Sequence, residues 1–178
     1  MLLLVIVISF IFKYGETKMM MLLGESYKDC SKGPIKFLDW SEIEFVYEND
    51  TTYFINGKLK VYNAINPPWK MHYFIEKYDR GKWFTSMVDR EIPDFCKVIT
   101  DKKAPWHFVV DHLKRPSCPY AKNGVETFNM ELVESALPSY YTFTMTGKYR
   151  VTFISTFTGE DGQPYDECQR LGFEMMPM

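Results

Sequence analysis

A period of two, recurring along most of the chain, limits what this sequence can fold into. In Glu42-Ile43-Glu44-Phe45-Val46-Tyr47-Glu48 the odd positions are Ile43, Phe45 and Tyr47, and most even positions are charged. This is the pattern of a strand with one face buried and the other in water. Residues 51–63 keep the same phase, with Tyr53, Ile55, Leu59 and Val61 inward and Lys58, Lys60 and Tyr62 outward. Asn56-Gly57 interrupts that run, as a turn closing a hairpin or as a bulge in one long strand, and the unbroken apolar phase favours the bulge. After the turn Asn66-Pro67-Pro68-Trp69, residues 70–78 set Met71, Tyr73 and Ile75 against His72, Phe74 and Glu76. Asp79-Arg80-Gly81 then turns the chain into residues 82–88, which predicts a hairpin.

Three further segments follow the rule. Residues 127–133 carry Phe128, Met130 and Leu132; residues 147–157 carry Tyr149, Val151, Phe153 and Phe157; residues 168–175 carry Leu171, Phe173 and Met175. Only residues 93–113 read differently. There Asp94 is placed to cap a short helix through Phe95, Cys96, Val98 and Ile99, and Phe108, Val109 and His112 fall at helical spacing. Many strands, frequent turns and one short helical insertion near 93–113 predict an all-β, antiparallel β-sandwich. Its inward face is expected to hold Ile43, Phe45, Tyr53, Ile55, Met71, Tyr73, Ile75, Phe128, Met130, Val151, Phe153, Leu171 and Phe173. At 178 residues, with no internal repeat or low-complexity linker, the chain suits one domain.

The ends and the cysteines point to a compartment. Residues 1–12 are an apolar run, interrupted by Ser9 alone and closed by Lys13, the length of a secretory signal core and too short to span a bilayer comfortably. Residues 1–18 are therefore expected to be a cleaved leader, cut between residues 14 and 26, with residues 19–178 as the mature domain. Cys30, Cys96, Cys118 and Cys168 all lie after it, and an even count behind a leader implies disulfides in an oxidising, extracellular setting. Four cysteines allow three pairings. The sequon Asn49-Asp50-Thr51 lies in a polar stretch between two expected strands, which makes Asn49 a candidate glycosylation site.

The chemistry-bearing patterns of enzymes are missing. His107 and His112 are five apart, off the i, i+4 spacing of a helical metal pair, and His72 falls on the outward face of its strand. The cysteines lack metal-ligand spacing, and neither GxSxG nor a glycine-rich phosphate loop occurs. No catalytic residue, metal or cofactor is expected. The 21 basic and 23 acidic residues are scattered, so no basic stripe exists to hold nucleic acid. What stands out is 17% aromatic residues, material for a solid core or for the wall of an apolar cavity. Residues 136–147 tip the choice toward a cavity. This connection is rich in aromatics and Met and poor in charge, and Tyr140, Tyr141, Phe143 and Met145 suit a cavity mouth, a membrane surface or packing on the sheet.

Landmarks in order then suggest a family. They are Asp29-Cys30, Ile75-Glu76-Lys77 with Gly81-Lys82-Trp83, Pro93-Asp94-Phe95-Cys96 and Ser117-Cys118-Pro119-Tyr120. Leu137-Pro138-Ser139, Thr146-Gly147-Lys148-Tyr149-Arg150 and the last-strand Cys168 complete the series. From about Tyr27 onward the chain resembles the ganglioside-activator branch of the ML lipid-recognition proteins, and in particular the insect chemosensory CheB-like family. The resemblance implies an immunoglobulin-like sandwich with an apolar inter-sheet cavity, and disulfides Cys30–Cys168 and Cys96–Cys118. The ganglioside activator's further rim cysteines have no counterpart here, which fits the simpler insect relatives.

The function so implied is that of a secreted, non-catalytic binder of an apolar small molecule or lipid, in perception of a pheromone or cuticular hydrocarbon, with a chemoreceptor or membrane surface as partner. The alternatives are a lipid-transfer accessory to a hydrolase and a plain extracellular interaction module. The cavity candidates are Phe45, Tyr53, Ile55, Met71, Tyr73, Ile75, Phe128, Met130, Tyr140, Tyr141, Phe143, Phe153 and Phe173.

Overall fold

The computed structural model describes residues 19–23, 28–49, 52–104, 106–133 and 146–177. Among these residues the chain forms two antiparallel sheets. The wider sheet holds β1 (Met19–Leu23), β2 (Lys28–Asp29), β6 (Lys70–Asp79), β7 (Lys82–Ile92), β9 (Gly147–Thr158) and β10 (Pro164–Pro177). Its order is β1-β10-β9-β6-β7, with β2 also paired to β10. The narrower sheet holds β3 (Leu38–Asp39), β4 (Glu44–Asn49), β5 (Thr52–Val61) and β8 (Gly124–Val133). There β3 and β4 pair with opposite halves of β5, and β8 pairs along the whole of it.

Alternation explains most of these strands. Ile43, Ile55, Leu59, Val61 and Phe128 are buried, while Val46 and Tyr62 are exposed. The β6–β7 hairpin turns on Arg80 and Gly81, both at positive φ, the two-residue turn whose twist suits a hairpin. β1 was not foreseen. It lies within the stretch expected to contain the leader cut and pairs with residues 173–177 of β10.

Asn56-Gly57 is neither a turn nor a bulge against β8, because β5 runs through it with an unbroken register from Thr52↔Val133 to Val61↔Gly124. The glycine answers a different need. At Gly57 φ is +120°, and a Cβ there would be driven into the carbonyl oxygen of Glu42, whose backbone crosses over β5 at this point.

The helical insertion shrinks to two single turns, α1 (Phe95–Val98) and α2 (His107–Val110). Asp94 makes no side-chain cap, as its carboxylate instead accepts the Trp69 N–H at 3.3 Å. The Phe95 N–H donates to the Trp69 carbonyl at 2.6 Å, so contact with the β6 approach sets the helix entry in place of local capping. The insertion packs into the core through its rings. Phe37 stacks on Phe157 at 4.7 Å, Phe157 meets Trp69 at 5.4 Å, Trp69 meets Phe95 at 4.7 Å, and Phe95 meets Trp106 at 4.9 Å. The Trp106 Nε1–H donates to the carbonyls of Val98 and Ile99.

Cys30 is bonded to Cys168 and Cys96 to Cys118, with Cα separations of 4.8 and 5.5 Å. This is the pairing implied by the resemblance. The first bond fastens the β2 edge to β10. The second ties α1 to the segment before Tyr120, which pairs with Ile65. Bonds of this kind form in an oxidising environment. Among the described residues no helix is long and apolar enough to cross a membrane.

One buried carboxylate joins the two layers. Glu167 of β10, 2% exposed, accepts the backbone N–H groups of Lys36, Phe37 and Leu38 at 2.6, 2.7 and 2.9 Å. It thereby satisfies the start of β3 in the opposite sheet.

Candidate ligand-binding site

The inner face of the wider sheet reads as rows across the strands, because residues opposite one another in register share a face. Met71, Ser155 and Glu167 form one row; Tyr73, Phe153 and Gln169 the next; Ile75, Val151 and Leu171 the third; Lys77, Tyr149 and Phe173 the fourth. The apolar packing on this face divides. A large cluster gathers Phe37, Ile43, Ile55, Trp69, Phe128 and Phe157 with their neighbours, and Met71, Phe45 and Ile92 pack against it. A second, separate cluster holds Ile75, Tyr149, Phe173 and Met175, with Val88 and Val151 beside it.

The row Tyr73–Phe153–Gln169 belongs to neither cluster. Tyr73 and Phe153 are half-buried with ring centroids 6.2 Å apart, and Tyr73 also meets Trp106 edge-on at 6.3 Å. Burial pushes the Tyr73 phenol above its ordinary pKa, against the opposing pull of Arg90. Gln169 is 6% exposed, and its Nε2 has no hydrogen-bond partner among the described residues.

The sequence-named candidates thus separate. Ile55 and Phe128 lie in the large cluster and Phe45 and Met71 against it; Ile75 and Phe173 lie in the second cluster; Tyr73 and Phe153 lie between the two. For Tyr53 and Met130 the backbone register alone is described, pairing Tyr53 with Leu132 and Met130 with Ile55. Tyr140, Tyr141, Phe143 and Met145 lie outside the described residues, as do the expected leader and the Asp50-Thr51 part of the sequon. Asn49 itself ends β4 at the β4–β5 connection. Gln169 went unnamed from sequence, although its odd position in the last strand places it in phase with Leu171 and Phe173.

The outer face of the same sheet carries paired polar groups beside Phe74 and Ile154. Arg150 holds Glu76 through two hydrogen bonds, at 2.6 and 2.9 Å, and lies 4.2 Å over the Trp83 ring. His72 bonds Asp89 at 2.6 Å on this outward face, and His112 is exposed beyond α2. An open surface cleft of 260 Å³ lies elsewhere, among Lys36, Asn63, Glu160, Asp161 and Tyr165, and includes none of the named candidates. Among the described residues no group of three or more His, Cys, Asp and Glu side chains is placed to hold a metal ion. No protein-family model matches the chain, and no curated protein matches it.

Proposed function

We propose that this chain is a secreted, non-catalytic binding protein that holds an apolar small molecule or lipid between its two sheets. Its biological setting is insect chemosensation, as the resemblance implies, with delivery to a chemoreceptor or a membrane surface. One observation carries the reading: among the described residues, the inner face of the wider sheet packs as two apolar clusters, with half-buried Tyr73 and Phe153 and buried Gln169 in the row between them. A sandwich usually builds one contiguous core with smaller satellite clusters, so what sets this interior apart is the buried amide between the clusters, without a partner among the described residues. A break lined by aromatic rings and a single amide is what a ligand site of this class needs, namely apolar walls with few polar groups. The two disulfides support the extracellular setting.

Native mass spectrometry of the secreted protein tests this by seeking co-purifying lipid. A thermal-shift panel of hydrocarbons, fatty acids and glycolipids accompanies it. A ligand at about 100 times its Kd adds roughly 2.7 kcal/mol when it binds only the folded state, which is about 5–11 °C in Tm for a chain of this size. No carried lipid and no shift across the panel overturns the proposal in favour of a plain extracellular interaction module.

A further inference from the structure

We infer that the ligand carries a neutral oxygen acceptor (a ketone, ester or alcohol) on an otherwise apolar chain, and that the Gln169 carboxamide donates to it. This rests on the binding reading above and narrows it from bare hydrocarbon to oxygenated lipid.

Gln169 sits on β10 with its side chain in the inward phase of Glu167, Leu171 and Phe173, in the row between the two apolar clusters. At 6% exposure its Nε2 is removed from water and unpaired. Buried amide groups are almost always hydrogen-bonded, since an orphaned donor loses its water without replacement. The polar neighbour on the same strand face does not supply the acceptor: the Glu167 carboxylate is taken by the N–H groups of Lys36, Phe37 and Leu38. Opposite Gln169 in register stand Phe153 of β9 and Asp29 of β2, whose carboxylate accepts the Ser31 N–H; Val151 and Leu171 are the apolar neighbours, while Ser155 lies in the row beyond and Tyr73 two strands away. Among the described residues no acceptor meets this Nε2, and the oxygen of a bound ligand fills that place in the inference.

Charge decides the kind of acceptor. The cation in this row is Arg90 of β7, paired across from Tyr73. It stands three strands from Gln169, about 14 Å at ordinary strand spacing. A ligand carboxylate at buried Gln169 would meet an amide without a counterion and with Asp29 opposite it in register, whereas a ketone or alcohol needs only the N–H.

The test uses the full, disulfide-bonded secreted chain and four twelve-carbon probes: dodecane, 2-dodecanone, dodecan-1-ol and dodecanoate. Kd is measured by displacement of a fluorescent naphthylamine. The expected result is that the ketone and alcohol bind at least tenfold tighter than dodecane and tighter than dodecanoate. In Gln169→Leu that preference falls to within about twofold, while dodecane still binds and the unliganded Tm does not drop, because the variant removes an unpaired amide. Gln169→Met repeats the comparison with a flexible side chain of the same reach. Equal binding of dodecane and the ketone, or a preference that survives both substitutions, overturns the inference while leaving the binding reading standing. If none of the four binds, the binding reading falls and takes the inference with it.

Discussion

Replacing Glu167 by Gln tests how the two sheets are held together. In the native protein Oε1 accepts from Lys36 and Phe37 and Oε2 from Leu38, all at 2.6–2.9 Å, in a site 2% exposed. The amide keeps one oxygen, best placed where it still serves two donors, and turns an NH2 toward the buried Leu38 N–H. Leaving that donor orphaned costs about 1–3 kcal/mol, and the two surviving bonds fall from charge-assisted to neutral, roughly 1 kcal/mol each. Relief from burying a carboxylate works in the opposite direction, so the net loss is about 2–4 kcal/mol. For a chain of this size that is about 4–16 °C in Tm. Glu167→Ala orphans all three donors and opens a void, so its loss is larger than that of Gln. Urea unfolding followed by tryptophan fluorescence, with disulfides intact, reads both variants, with an m-value unchanged from the parent. A Gln variant within about 0.5 kcal/mol of the parent, or an Ala variant milder than Gln, refutes the view that this carboxylate is the tie between layers.

Gly57→Ala places a side chain at φ +120° against the Glu42 carbonyl and is expected to lower stability by about 3 kcal/mol or more; a near-neutral variant in the same urea assay would show that the backbone crossing gives way. Removing Cys96–Cys118 as a double Ala variant is expected to lose about 3 kcal/mol, and removing Cys30–Cys168 about 5 kcal/mol, since the closed loops span 22 and 138 residues. A reversed order in matched unfolding curves argues against the loop-entropy account. Tyr120 has its pKa pushed up to about 12, chiefly by burial and further by the charge of Glu126. A raised phenol pKa means its stability contribution is complete below about pH 10 and is lost as pH rises from about 10 to about 12. Ultraviolet titration of Glu126→Gln should find this phenol ionising at lower pH than in the parent, and an unchanged titration contradicts the assignment.

Strand identity was legible because it is local. Alternation at Ile43, Ile55, Ile75, Phe128 and Phe173 names the inward phase of each strand, and all five are buried. The glycine of Asp79-Arg80-Gly81 marks a turn that needs positive φ, and the structure puts a turn there. The longer-range features were not legible. Asp94 has the sequence context of a helix cap but serves Trp69, because the segment leading into β6 presents a donor that local pattern does not reveal. Gly57 carries the signature of a turn and lies inside a strand, because its reason is the backbone of Glu42, fifteen positions away.

The candidate site shows the same division more sharply. The amino-acid sequence by itself determined that Tyr73 and Phe153 share the inward phase of their strands. Only the tertiary structure decided that register brings them into one row with Gln169 and that, among the described residues, the apolar clusters part at that row and the Gln169 Nε2 finds no partner. Side-chain phase follows from a two-residue backbone repeat, whereas the partner a side chain meets depends on strand register and on what the opposite layer covers. Neither quantity is a property of any single segment.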